Sequence, residues 1–382
     1  MVAPRRESDD VIVVTGSSGL IGSAVIERLR RRYQLIGFDR DGNSQPPPEV
    51  EGICVDLASD ESVKRGLARV RYAYGERIAS VVHLAAYYSF SEEDSPLYDE
   101  VTVRGTERLL RGLRSFTVEQ FIFSSTMLVH APAEPGRPID EDSPVDPKWA
   151  YPKSKVAAEK IIRAQSGGMP SVILRIAGVY TDRCDSIPIS NQIDRILRRS
   201  LTARVYPGDV SRGQSFVHLG DLIDAMELCI DKRDELGNEV FLIGEPRTLS
   251  YDFLQREFAR LIHGEDDWAT REIPKALAKT GAWAQNQLEP LPGIDEPFIK
   301  PWMVDLADDH YELDISQARA RLGWSPRHTL RGTLPKMIES LRRDPEGWYR
   351  RHEMDPPSDI KEALAKTAAA AGSHASAVAR SI

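Results

Sequence analysis

Val11-Ile-Val-Val-Thr-Gly-Ser-Ser-Gly-Leu-Ile-Gly22 is the stretch that decides the fold. A run of β-branched residues with the pattern of a buried strand turns directly into a helix through Gly16, Gly19 and Gly22. The first glycine permits a tight turn, the second lets the backbone approach a pyrophosphate, and the third lets helix and strand pack closely. The helix that follows offers free N–H groups and the positive end of its dipole, both suited to phosphate. The second strand ends in Gly37-Phe-Asp39, which sets a carboxylate at the spacing expected for a ribose 2'-hydroxyl. These features predict a dinucleotide site drawing on Gly16, Ser18, Gly19, Leu20, Ile21, Gly22, Asp39 and Arg40. Asp39 repels the extra phosphate of NADP, which favours NAD, while Arg40 beside it tolerates that phosphate.

Outward from the turn, apolar runs at Val11–Val14, Leu35–Phe38, Ile78–Leu84, Phe121–Ser124, Ser171–Ile176 and Val240–Ile243 alternate with helical patterns. The helices read at Gly22–Arg32, Ser62–Tyr74, Pro96–Ser115, Trp149–Gln165 and Asp221–Asp231. Such alternation predicts an α/β protein with a Rossmann-type, doubly wound parallel sheet. Residues 10–180 form the expected dinucleotide-binding domain, completed by about 214–245. Residues 181–213 and 246–350 form a smaller C-terminal substrate lobe, with helices near Asn191–Ser200 and Tyr251–Ile262 and a turn at Pro207–Gly208. A proline-rich stretch runs from Glu289 to Pro301, and Pro46–Pro48 reads as a surface loop. The amphipathic stretch Pro274–Leu288, with Leu277, Trp283 and Leu288, is expected to pack over the active-site cleft rather than to touch a membrane. Residues 356–382, rich in Ala, Ser and Lys, read as a disordered tail.

Composition narrows the function classes. With 382 residues, 41% hydrophobic and 28% charged, the chain can bury a sizeable core. No apolar run reaches the roughly 20 residues of a membrane span. The formal net charge of -8 argues against nucleic acid as a partner. Arg28, Arg30, Arg31 and Arg32 fall at the end of the first predicted helix, where cations suit the dipole, and read as solvated rather than as an anion site. Cys54, Cys184 and Cys229 are widely spaced and fit no metal-ligand pattern, so no metal is expected. Together with a start that lacks a secretory apolar segment, they read as buried thiols in a reducing cytoplasm.

Tyr151-Pro-Lys-Ser-Lys155 sets Tyr151 and Lys155 four residues apart near a helix start, hence on one face. A phenol with a pKa near 10 is a poor base at neutral pH, and a neighbouring ammonium favours its phenolate. The pair can therefore take a proton from an alcohol while hydride leaves its carbon. Upstream, Phe121-Ile-Phe-Ser-Ser-Thr126 delivers the hydroxyls of Ser124, Ser125 and Thr126 to the carboxyl edge of the sheet, where open α/β proteins bind ligands.

These stretches resemble the extended short-chain dehydrogenase/reductase family, of the NAD-dependent epimerase/dehydratase type. The resemblance runs from about Val11 to Leu341. Besides the glycine turn it is carried by Asp56-Leu57, His83-Leu-Ala-Ala86, Phe123-Ser-Ser-Thr126, Tyr151-Pro-Lys-Ser-Lys155, Leu174-Arg-Ile-Ala-Gly-Val-Tyr180, Phe216-Val-His-Leu-Gly-Asp221 and Leu322-Gly-Trp-Ser-Pro326. It implies Tyr151 as acid/base, Lys155 as its partner and as a ligand of the nicotinamide ribose, and Thr126 bonding the reacting oxygen, with Ser125 as the alternative. It further implies Asp56 and Leu57 beside the adenine, Leu84, Ala85, Ala86 and Ser124 along the cofactor, and Ala177–Val179 closing its nicotinamide side. A homodimer through the helices at Pro96–Ser115 and Trp149–Gln165 is expected on the same ground.

The sequence departs from the family pattern at several places. Thr102 stands where a family helix usually carries asparagine, and neither the asparagine near Ala177 nor the arginine near Gln214 of sugar-nucleotide members is present. Arg212 is close enough in sequence to replace that arginine. Met127-Leu128 replaces the Asp-Glu pair of the 4,6-dehydratases, which disfavours dehydration. Tyr87, Tyr88, Phe90 and Trp149 surround the motifs with aromatic side chains, for which substrate contact and core packing are both open; Tyr87 is a candidate substrate contact. The expected substrate is a small molecule with a secondary hydroxyl or ketone. Epimerisation leads, and a 3β-hydroxysteroid-type or other alcohol dehydrogenase follows. A cofactor-bound scaffold without chemistry is the rival from another class.

Overall fold

The computed structural model describes residues 8–40, 47, 49–89, 94–288, 300–358 and 360, with residues 282–288 by backbone alone. The expectations for Pro46 and Pro48, Phe90, residues 289–299 of the proline-rich run and the tail from 361 lie outside the described residues. The chain forms two compact units, the first made of Met1–Val179, Gly213–Thr248 and Asp309–Thr329, the second of Tyr180–Arg212, Leu249–Asp308 and Leu330–Ile382.

The first unit is built on seven parallel strands: β1 (Val11–Thr15), β2 (Gln34–Asp39), β3 (Glu51–Cys54), β4 (Ser80–His83), β5 (Phe121–Thr126), β6 (Ser171–Ile176) and β7 (Glu239–Ile243). Their order is β7-β6-β5-β4-β1-β2-β3. The chain therefore starts in mid-sheet, winds outward to β3, and returns to β4 on the other side of β1. That reversal opens a crevice at the carboxyl ends of β1 and β4, the switch point at which such sheets bind ligands.

Every residue of β1, β4, β5 and β6 is buried, as parallel strands covered on both faces require. Alternate residues feed two separate cores. Ile12 and Val14 pack with Val25, Ile26 and Leu29 of α1 (Leu20–Leu29), while Val11 and Val13 join the core under α2 (Asp60–Tyr74), α3 (Arg104–Leu113) and α4 (Ala150–Gln165). On the first face lies α5 (Leu219–Asp231) beside α1. Of the arginines at the end of α1, Arg28 and Arg32 join these two helices rather than standing solvated, whereas Arg30 pairs with Glu27 and Glu49 and Arg31 is exposed as expected. Arg28 Nη1 reaches Asp224 at 2.7 Å and Glu227 at 2.8 Å, and Arg32 reaches Glu227 at 2.6 Å and Asp231 at 3.0 Å.

The segment Asp309–Thr329, expected in the substrate lobe, belongs to the first unit. Asp221, fully buried at the start of α5, accepts from His328 N at 2.9 Å, and its backbone carbonyl accepts from Trp324 Nε1 at 2.8 Å. His218 and His328 stack with centroids 4.0 Å apart. The Phe216–Asp221 and Leu322–Pro326 motifs are thus two halves of one clasp. Cys184 and Cys229 are buried, but Cys54 is exposed because it lies on β3, the edge strand, where alternate side chains face out.

The second unit is mainly helical, with Ile187–Leu197, Tyr251–His263, Leu330–Arg343 and Pro345–Arg351 around fully buried Phe258, Trp268 and Trp348. Tyr349 donates to Asp194 at 2.6 Å. On Lys275–Leu288, Leu277 is 62% exposed, and the side chains of Trp283 and Leu288 lie outside the described residues. Among the described residues no helix is long and apolar enough to cross a membrane.

Candidate active site

The three glycines of the turn differ in what fixes them. Gly16 has a φ of +67°, and a Cβ there would stand 2.9 Å from Ala85 N. At Gly22 a Cβ would stand 2.1 Å from Gly16 O. Packing within the fold demands both. Gly19 is exposed, its extended backbone is open to any residue, and a Cβ would meet only Gly16 O, at 3.4 Å. Internal packing gives no reason for glycine there, whereas close approach of a pyrophosphate does. Gly19 is also the N-cap of α1 and offers no side chain to cap it, so the first N–H groups stay available to an anion. Ser18 and Leu20 beside it are exposed and Ile21 is half-buried.

Asp39 has a task that the sequence reading missed. One oxygen accepts from Ser18 N at 2.8 Å and the other from Arg40 N at 2.8 Å, which pins the turn to the end of β2. Each oxygen keeps a further lone pair for a ribose hydroxyl. Asp56 accepts from Ala58 N at 2.9 Å and closes a turn, while Leu57 is buried against Gly105. These residues, with the backbone of Leu84 to Ala86 beside Gly16, fit a dinucleotide.

Behind the turn runs a chain of buried hydrogen bonds. Thr106 donates to Thr102 O at 2.6 Å, so it must accept from His83 Nε2, at 2.9 Å; His83 Nδ1 then accepts from Thr15 at 2.7 Å. Thr15 Oγ1 in turn accepts from Leu84 N and Ala85 N, at 3.2 and 3.1 Å. Burial, with a smaller push from Lys155, holds His83 down at about 3, so the ring is neutral. Its part is to fix the strand ends at the crevice. Thr102, in the asparagine position, accepts from Tyr87 N at 3.0 Å within a π-helical turn, Tyr98–Val103, that leads into α3.

At the end of β5, Thr126 Oγ1 accepts from Leu128 N at 3.3 Å, which leaves its hydroxyl proton to donate. Tyr151 and Lys155 sit in the first turns of α4, and Lys155 Nζ donates to Ser124 O at 2.7 Å. The ammonium lies 5.7 Å from the centroid of the Tyr151 ring and 4.8 Å from that of Phe123. Burial pulls Lys155 down to about 7, against the opposing pull of Glu159. Burial, and then Tyr98, push Tyr151 up. The protein thus holds an amine that changes charge near neutral pH beneath a phenol.

Trp149 occupies the N-cap of α4 without capping it, and its ring lies 5.5 Å from that of Tyr151. Tyr88 meets Tyr151 edge-on at 4.7 Å and remains 46% exposed. Tyr87 is half-buried and edge-on to Tyr98 at 4.9 Å.

The other expected residues divide. Ser124 Oγ donates to His83 O at 3.3 Å, close to the crevice. Ser125, the alternative to Thr126, sends its proton into the fold, to Glu159 at 2.5 Å. Ala177 is buried and bonded to Ile243 O at 2.9 Å, and Val179 is half-buried. Arg212, in the second unit, is paired with Asp209 at 3.1 Å. Glu159, Arg175 and His130 form a buried polar group that the sequence reading missed. A charged residue inside the apolar run Ser171–Ile176 was its one visible signal. Among the described residues no group of His, Cys, Asp or Glu is arranged to hold a metal.

A sequence description of the NAD dependent epimerase/dehydratase family matches residues 12–244. The chain belongs to this family. A 3-beta-hydroxysteroid dehydrogenase of Mycolicibacterium neoaurum is 24% identical over 344 residues, 86% of this chain and 90% of that protein. A putative UDP-glucose 4-epimerase of Methanocaldococcus jannaschii is 26% identical over 240 residues, 60% of this chain and 76% of that protein. Among solved structures, the UDP-glucose 4-epimerase of Thermus thermophilus in complex with NAD has a TM-score of 0.64 at 24% identity, covering 87% of this chain and 99% of that one. This epimerase/dehydratase chain accordingly has the family's nucleotide, NAD, as its cofactor, in agreement with the reading of Asp39.

Proposed function

We propose that the protein oxidises and re-reduces a secondary alcohol carbon, with Tyr151 as acid/base. The observation that supports this reading is the bond from Lys155, on the helix that bears Tyr151, to the carbonyl of Ser124, two residues before Thr126 on β5. NAD, when bound on the turn from Gly16 to Gly22 and near Asp39, supplies the hydride acceptor. Thr126 donates to the reacting oxygen and orients it. Tyr151 takes the hydroxyl proton as the carbon is oxidised and returns it on reduction, and the Lys155 ammonium favours the phenolate in between. Asp56, Leu57, Ala86, Ala177 and Val179 line the nucleotide on this reading, and the second unit carries the substrate lobe.

Epimerisation of a sugar nucleotide is the leading outcome, supported by the similarity to UDP-glucose 4-epimerases. Oxidation of an apolar alcohol is the second reading, favoured by Tyr88 and Trp149 around Tyr151 and by Met127-Leu128 after Thr126. Purified protein incubated with NAD and a panel of sugar nucleotides and apolar secondary alcohols separates them. Isomer formation without NADH supports the epimerase, steady NADH the dehydrogenase, and neither product across the panel overturns both. We assign the enzyme to the cytoplasm as a homodimer through α3 and α4; light scattering at the monomer mass contradicts the dimer.

A further inference from the structure

We infer that Ser125 and Glu159 are positioning residues that lock the strand end bearing Thr126 to the helix bearing Tyr151 and Lys155. The inference rests on the acid/base reading of Tyr151. Ser125 alternates with Thr126 along β5, so its side chain leaves the opposite face of the strand. Its Oγ donates to Glu159 Oε1 at 2.5 Å. Glu159 follows Lys155 by one turn of α4, on the same face.

The Glu159 carboxylate is 2% exposed and is held from three sides. Arg175, the register partner of Ser125 on β6, reaches it with Nε at 3.2 Å and Nη2 at 2.9 Å. Arg163, one turn further along α4, adds a contact at 3.2 Å. The orientation of Arg175 is itself fixed, since Nη1 donates to His130 Nε2 at 3.0 Å and to Glu141 O at 3.1 Å. One carboxylate thus ties β5, β6 and α4 together at the level of the proposed chemistry.

The bonding along β5 makes the purpose specific. Ser124 holds α4 through Lys155 and its own carbonyl, Ser125 holds the same helix through Glu159 and its hydroxyl, and Thr126 comes next. A buried ion pair contributes little net stability compared with apolar packing of the same volume, but its directional bonds fix geometry. Here they set the distance between a donor on a strand and an acid/base on a helix, where displacements of about 1 Å matter to rate.

The charged and titratable groups facing Lys155 are Glu159 and Tyr151 from its own helix and neutral His83 from β4. The phenol of Tyr151 is faced from outside α4 by Tyr88 and Tyr98. Loosening α4 separates it from the Lys155 amine, which weakens the ion pair that a phenolate and a protonated Lys155 form and so raises the pH at which Tyr151 ionises. This can be read without a substrate. Ultraviolet difference titration of the NAD-bound protein against Tyr151→Phe isolates the Tyr151 phenolate. Ser125→Ala removes one hydrogen bond and leaves Glu159 on Arg175 and Arg163, which keeps the fold. We expect Tyr151 to ionise about one pH unit higher in that variant, tenfold in its ionisation constant. NAD affinity should stay within about twofold, because the glycine turn is untouched. Ser125→Thr, which keeps the hydroxyl, should restore the wild-type titration; Ser125→Cys, a weak donor of similar shape, should shift it upward as well. An unmoved titration in Ser125→Ala and Ser125→Cys overturns the assignment alone. Burial holds Tyr151 above the ordinary phenol range in the cofactor-free protein, so a wild-type protein in which NAD binding does not lower the Tyr151 titration overturns the acid/base reading, and this assignment with it.

Discussion

The turn proposed to carry the nucleotide and the cluster proposed to carry the chemistry lie at the same edge of the sheet but are held in opposite ways. The turn is fixed by what its residues lack: at Gly16 and Gly22 a single methyl group would collide with backbone. The cluster is fixed by what its residues reach, through bonds from Lys155 to Ser124, Ser125 to Glu159 and Glu159 to Arg175. Steric exclusion is local and tolerates little. A polar network is assembled from distant segments and can lose one bond by degrees. Changes at Gly16 and Gly22 should therefore be abrupt, and changes to the single bonds around Glu159 graded.

The sharpest way to break the contrast is Gly22→Val, which forces a side chain onto Gly16 O. It should cost about 3 kcal/mol of stability and abolish NAD binding, measured by denaturant unfolding and by titration with NAD. A variant as stable as wild type would show that α1 is not pinned to β1 by this contact. Next in size is Lys155→Met in the cofactor-free protein. Burial holds Lys155 at about 7, well below the 10.5 of an exposed lysine. Between those values the unfolded chain binds a proton that the folded chain does not, so wild-type stability falls as pH drops from 10.5 towards 7. The methionine variant should therefore gain about 1–2 kcal/mol at pH 7, less as pH approaches 10.5, and lose turnover. Equal stability of the two proteins at pH 7 contradicts the buried-charge account. The smallest effect, and the most discriminating within the turn, is expected of Gly19→Ala. Its backbone suits alanine and its Cβ meets nothing close, so stability should stay within about 0.5 kcal/mol of wild type. NAD affinity should nevertheless fall about tenfold, because the added methyl stands where the pyrophosphate approaches. Unchanged affinity would mean that the nucleotide does not lie on this face.

What could be read from the sequence follows the same division. The strand at Ser171–Ile176 and the helix through Trp149–Gln165 are legible because apolar period and length are local properties. The glycine turn is legible because the spacing of its three glycines between a strand and a helix is a local pattern, two of them, Gly16 and Gly22, being required by packing. The return of Asp309–Thr329 to the first unit was not, since Trp324 and His328 find Asp221 only once two distant segments have folded together. Nor was the turning inward of Ser125, because Ser124, Ser125 and Thr126 look alike until strand register sets Ser125 opposite Arg175. Arg175 was visible as a charge in an apolar run, but its partner Glu159 lies 16 residues earlier on a helix whose faces the sequence shows only in part. The exposed thiol of Cys54 escaped for a related reason: a short β-branched run does not reveal whether its strand is central or at an edge.

The central claim is that binding and chemistry are separable here, with NAD held by the turn and proton transfer by Tyr151. Tyr151→Phe tests it most directly, with turnover on whichever substrate the panel identifies and NAD affinity measured on the same preparation. Turnover reduced at least about 10²-fold, with NAD affinity within twofold of wild type, is the predicted result. Undiminished turnover in the phenylalanine variant would contradict it.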